Sequence, residues 1–148
     1  MNKLADENTE LASRVLDKAR KRGVTIGCAE SCTGGLIAAT LTAIPGSSDV
    51  FVGGIVSYWI DVKEHVLGVK PEIIDEYGVV SEECARAMAK GACQALTCDY
   101  AVSTTGIAGP GGAEPGKPVG TVCFAIVSNQ DAVSSSFTTC KGDSREDV

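Results

Sequence analysis

The stretch Cys28-Ala29-Glu30-Ser31-Cys32-Thr33-Gly34-Gly35 sets a carboxylate, a hydroxyl and a thiol between two apolar runs. A serine in that place has three chemical readings. Its hydroxyl can cap the helix that follows, accepting from the free amides of the first turn. The loop can instead cradle an anion on those amides. Or Ser31 can attack an electrophile, which requires a base. His65 is the only histidine, so a Ser-His-Asp triad can run only through it, and it sits in a helical segment that reads as surface. A buried lysine is the other base, because apolar surroundings disfavour its ammonium form. Lys63, beside Trp59 and Val62 and shortly after Tyr58, is that candidate.

Familiar templates do not fit these residues. Tyr58 and Lys63 are five apart rather than the four of short-chain dehydrogenases. No G-x-G-x-x-G opens a strand-helix unit and no G-x-x-x-x-G-K-[ST] occurs. Ser31 has no lysine three residues on, which excludes the S-x-x-K of β-lactamases. The seven cysteines (Cys28, Cys32, Cys84, Cys93, Cys98, Cys123 and Cys140) contain no CxxC pair, so no structural zinc site is expected. They read as small hydrophobes of a reduced chain. Redox chemistry at Cys28 and Cys32 is a minor rival.

With 148 residues, 44% of them hydrophobic and 22% charged, the chain is expected to form a single domain over 1–148. A net charge of −6 argues against nucleic-acid binding, which needs a concentrated basic face. No run reaches the ~18 apolar residues of a membrane span, and the polar start Met1 to Glu10 does not read as a signal peptide. The expected location is cytoplasmic, with neither nucleic acid nor membrane as partner.

The elements that must position the candidates alternate along the chain. Leu4, Leu11, Ala12, Val15, Leu16 and Ala19 recur at helical spacing until Gly23. Residues 24–29 are β-branched and apolar on both faces, as in a buried parallel strand. Leu36 to Ala43 reads as a helix ended by Pro45-Gly46, and residues 50–59 as a second strand with a glycine pair inside. Short helices are expected at Asp61 to Leu67 and Pro71 to Tyr77. Ser81-Glu82-Glu83 has a capping hydroxyl and first-turn acids, followed by the stripe Ala85, Met88, Ala89, Ala92 and Leu96. Residues 99–106 read as a strand entering a Gly/Pro-rich loop. Strands at 119–128 and 132–140, joined by Asn129-Gln130-Asp131, form an expected antiparallel hairpin. The fold class is α/β, a three-layer α/β/α domain with a mixed, largely parallel sheet. If the first strands are parallel, the loops holding Ser31, Tyr58 and Thr104-Thr105-Gly106 converge at one sheet edge, where such folds bind ligands.

Four segments together resemble a known family: 29–35 (AESCTGG), 57–69 (SYWIDVKEHVLGV), 78–92 (GVVSEECARAMAKGA) and 103–125 (STTGIAGPGGAEPGKPVGTVCFA). Their order and spacing are similar to those of the CinA C-terminal domain, which includes PncC-type nicotinamide-nucleotide amidohydrolases. The resemblance runs from about residue 5 to 141. It implies deamidation of nicotinamide mononucleotide without metal or organic cofactor, a small-molecule nucleotide substrate, and a homodimer or higher homo-oligomer. It implies Ser31 as nucleophile, Lys63 as general base and Tyr58 as the group relaying or orienting the proton. Amides of Cys32, Thr33, Gly34 and Gly35 would face the oxyanion, and Thr105 and Gly106 match a third site loop. The substrate phosphate is expected at Gly109, Gly111 and Gly112 or at Arg145. That arginine lies in Gly-Asp-Ser-Arg, one residue longer than the family's Gly-Asp-Arg. Glu30 is open between holding the lysine and a structural role. A non-catalytic nucleotide-binding or interaction module is the alternative function. The close at GDSREDV carries first-turn acids with no helix after them, so a final helix of the family is expected to be missing.

Overall fold

A computed structural model describes residues 3–130, 133–140 and 144–148. The elements in chain order are α1 (Lys3–Arg22), β1 (Ile26–Glu30), α2 (Leu36–Thr42), a 3₁₀ turn (Ser47–Asp49), β2 (Phe51–Val56), α3 (Ile60–His65), α4 (Pro71–Tyr77), α5 (Glu82–Leu96), β3 (Tyr100–Gly106), β4 (Thr121–Ser128) and β5 (Val133–Thr139). Each expected element is present with ends moved by a few residues. Asp131, the last residue of the expected hairpin turn, lies outside the described residues.

The five strands form one sheet in the order β2-β1-β3-β4-β5. β1 pairs in parallel with both β2 and β3, while β3-β4 and β4-β5 are antiparallel. The chain is therefore α/β with a parallel core and an antiparallel hairpin at the end. Strand β1 lies between β2 and β3, and its last residue Glu30 pairs with Val56 and Thr104. All three parallel strands thus finish at the same edge.

α5 covers one face of the sheet and touches every strand. Its buried residues Cys84, Ala85, Met88, Ala89, Ala92 and Cys93 follow the helical period and supply most of the core on that side. Ser81 caps it as expected, accepting from the Cys84 amide at 3.1 Å. Gly91 is required by the fit, because a Cβ there would stand 1.9 Å from the Leu67 carbonyl oxygen. The other face carries α1 and α2 over β1 and β2, with Ala12, Leu16, Ala19, Leu41 and Val50 buried together. The α1 stripe is narrower than its sequence implies: Leu4, Leu11 and Val15 are exposed. On the same side, beyond β1, Tyr100, Phe124 and Ile126 stand on sheet surface that remains exposed. Among the described residues no helix is long and apolar enough to cross a membrane.

Candidate active site

The loops after β1, β2 and β3 meet as the topology requires. The Ser31 amide donates to Thr104 O at 3.0 Å, and the Ser57 amide donates to Glu30 O at 2.8 Å. Ser31 is thus held between the ends of two neighbouring strands. Around it lies a cleft of about 280 Å³ lined by Ser31, Cys32, Tyr58, Thr105, the 106–112 loop and Arg145, with Val79 at one side. Hollows of about 340 and 330 Å³ exist elsewhere, at the end of α5 and along α1. The thiols of Cys93 and Cys98 in the first are raised in pKa by burial and donate to carbonyls, and the second has no hydroxyl or thiol, so the smaller cleft is the chemical candidate.

Lys63 projects from α3 beneath that cleft and has no exposed surface. Its Nζ lies 3.0 Å from Ser31 Oγ, 2.6 Å from Ser57 O and 3.2 Å from Tyr58 O. No described carboxylate pairs with it. Burial lowers its pKa below the ordinary lysine value, and the thiols of Cys84 and Cys32 oppose that shift. Three acceptors around Nζ match the N–H groups of an ammonium, and the same contacts also accommodate the neutral amine that burial favours. Two N–H groups can donate to the two carbonyls, which leaves the lone pair facing the Ser31 hydroxyl.

Ser31 does not cap α2, contrary to one reading of its sequence. The N-cap is Gly35, at φ 105°, which has no side chain to offer. Glu30 does the capping instead. Its carboxylate, 1% exposed, accepts from the amides of Gly35 (3.1 Å), Ile37 (3.1 Å) and Ala38 (2.9 Å) and from the Thr33 hydroxyl (2.6 Å). Cys28 Sγ also approaches it at 3.6 Å, and burial with this carboxylate pushes the Cys28 thiol up to about 12. The question left open for Glu30 is settled by these contacts: it holds the helix start, not the lysine. The anion cradle that was one reading of this loop is filled by the chain's own carboxylate.

That arrangement narrows the expected oxyanion donors. The Gly34 amide donates to Ser31 O at 3.1 Å and the Gly35 amide to Glu30, while Thr33 Oγ1 meets Glu30 and, at 2.8 Å, Thr104 Oγ1. Thr33, Gly34 and Gly35 therefore shape the turn rather than line the cleft. The amides of Cys32 and Thr33 lie against the Cys32 thiol, whose pKa burial raises and they lower. Gly106 makes room for that thiol, since a Cβ there would come within 3.0 Å of Cys32 Sγ and 2.7 Å of Thr121 O.

Tyr58 contributes its backbone carbonyl to Lys63, but its ring is exposed and its hydroxyl meets Arg145 Nη2 at 3.3 Å. The Arg145 Nη1 group also donates to Gly109 O, so this guanidinium bridges two walls of the cleft. Thr105 is fully buried and its hydroxyl donates to Val79 O at 3.0 Å, tying β3 to the segment before α5. Sequence reasoning placed Thr104 in the third converging loop but did not single out Ser57 or Val79. Ser57 and Val79 act through backbone carbonyls, for which residue type carries no signal.

Comparison with known proteins adds identity to this geometry. The family model that matches is the CinA C-terminal domain, over residues 8–148. A CinA-like protein of Leptospira borgpetersenii is 56% identical over 117 residues, covering 79% of this chain and 27% of its own length. One from Chlorobaculum tepidum is 48% identical over 124 residues, covering 84% of this chain and 29% of its own. The chain thus spans under a third of these relatives. Among solved structures, the competence/damage inducible protein CihA of Agrobacterium tumefaciens superposes with a TM-score of 0.89 at 41% identity, covering 94% of this chain and 84% of that one. The competence damage-inducible protein A of Klebsiella pneumoniae gives 0.88 at 34% identity, covering 92% and 84%.

Proposed function

The chain belongs to the CinA C-terminal domain family, and on that premise we propose that it is a serine–lysine amidohydrolase deamidating nicotinamide mononucleotide to nicotinate mononucleotide and ammonia. The carrying observation is the 3.0 Å contact between Ser31 Oγ and the fully buried Lys63 Nζ, which lacks a described counter-ion. The substrate class comes from the sequence resemblance to nicotinamide-nucleotide amidohydrolases.

In this reading the neutral Lys63 amine takes the Ser31 proton as Oγ attacks the carboxamide carbon. The Ser57 and Tyr58 carbonyls hold the amine and stabilise the ammonium as it forms. The carbonyl oxygen becomes an oxyanion beside the Cys32 amide, the first N–H after the nucleophile. Collapse of the tetrahedral intermediate breaks the C–N bond, and Lys63 returns the proton to the departing nitrogen, giving ammonia and an ester on Ser31. Water then attacks that ester with Lys63 again accepting a proton, releasing the carboxylate and restoring Ser31. Arg145 is the cation among the described residues lining the cleft, which suits the substrate phosphate.

The test is ammonia release from nicotinamide mononucleotide by wild type, Ser31→Ala and Lys63→Ala. Turnover by wild type that falls about a thousandfold or more in each folded variant is expected. Wild-type turnover that survives in Ser31→Ala would refute the covalent route, and its absence in wild type would refute the substrate.

A further inference from the structure

We propose that Glu30 is the positioning residue of the Ser31–Lys63 pair, its buried carboxylate fixing the turn that aims the serine hydroxyl at the amine. The inference rests on the serine–lysine reading above and assigns the device that holds it. Helix caps usually come from the residue at the N-cap itself. Here that residue is Gly35, and the cap comes from the last residue of β1. One carboxylate therefore clamps both ends of the loop. Its backbone is locked in the sheet, with Glu30 O accepting from the Ser57 amide. Its side chain receives three amides at the start of α2. Ser31 lies inside the clamp, directly after the fixed strand.

The Thr33 hydroxyl adds a cross-brace. It reaches Glu30 at 2.6 Å and Thr104 at 2.8 Å, and Thr104 O accepts the Ser31 amide. The loop is thereby tied to β3 through side chain and backbone together. A carboxylate suits this place because it offers only acceptors to five converging donors, three amides, a hydroxyl and the Cys28 thiol. A glutamine would turn an NH₂ group towards at least one of them. Glu30 has no contact with Lys63 Nζ, so its influence on the chemistry runs through the geometry of the loop.

The test uses Glu30→Gln with a fluorophosphonate probe that labels activated serines, so it does not depend on knowing the substrate. Labelling confined to Ser31 in wild type and slowed roughly tenfold to a hundredfold in folded Glu30→Gln is expected, the range for a misplaced catalytic group. The pH midpoint of labelling should stay where it is in wild type, because only the positioning changes. Thr33→Val, a milder change, should slow labelling several-fold and covers the case in which Glu30→Gln does not fold. Wild-type labelling rates in both variants would overturn the inference, as would a moved midpoint, which would make Glu30 an electrostatic partner of the lysine. Failure of wild type to deamidate the nucleotide while Ser31 still labels would refute the substrate alone and leave this inference standing.

Discussion

At the residue scale the decisive feature is a lysine that is buried without a counter-ion among the described residues. Taking an ammonium out of water is costly unless it is paired, and among the described residues the compensation near Lys63 is two carbonyls and a hydroxyl. Losing the proton removes most of that cost and leaves an amine that can accept one. Tyr58 supplies one of those carbonyls from its backbone, while its hydroxyl is engaged by Arg145. Tyr58→Phe therefore keeps the lysine's contacts and should change kcat by less than about threefold. KM should rise, because the arginine at the cleft wall loses one of its two partners. Steady-state kinetics check this; a large fall in kcat at constant KM would show that the hydroxyl relays the proton after all.

At the element scale the site depends on helices crossing without side chains in the way. α5 passes so close to the segment after α3 that Gly91 has no room for a methyl group. Lys63, on α3, is carried by that same segment. Gly91→Ala should destabilise the protein by about 1–3 kcal/mol, the range for overpacking, read as a lower urea midpoint at an unchanged slope. An unchanged midpoint would mean that the crossing can open at no cost. The sequence made α5 legible because its signals are local: a serine at the cap, acids in the first turn and small apolar residues at helical spacing. The cap of α2 was not legible, since its acceptor comes from a residue that looks like part of a strand. The α1 stripe misled in a different way. Periodicity identified an apolar arc, but only packing decides that Ala12, Leu16 and Ala19 are covered while Leu11 and Val15 are not.

At the scale of the whole molecule, function follows from strand order. Placing β1 between β2 and β3 in parallel brings Ser31, Ser57-Tyr58 and the loop after Gly106 to one edge, and the antiparallel β4-β5 hairpin extends the sheet away from it. That convergence could be anticipated from alternating helix and strand signals. The pairing of Ser31 with Lys63 was expected from the family resemblance, while the residues alone left His65 as a rival base. Across 32 residues of separation, only the folded chain sets the 3.0 Å distance. Composition gave the Gly/Pro-rich loop and the family resemblance its place at the site, whereas the Arg145 bridge to Tyr58 and Gly109 needs three separate segments in place. The measurement that bears most directly on the central claim is the pH dependence of kcat/KM for deamidation of nicotinamide mononucleotide. The proposed mechanism needs Lys63 as the neutral amine, and burial lowers its pKa from the ordinary lysine value. Turnover should therefore rise with pH through that lowered value and level off above it. A rate that is flat or falls over about pH 6 to 10 would contradict a neutral lysine as the base.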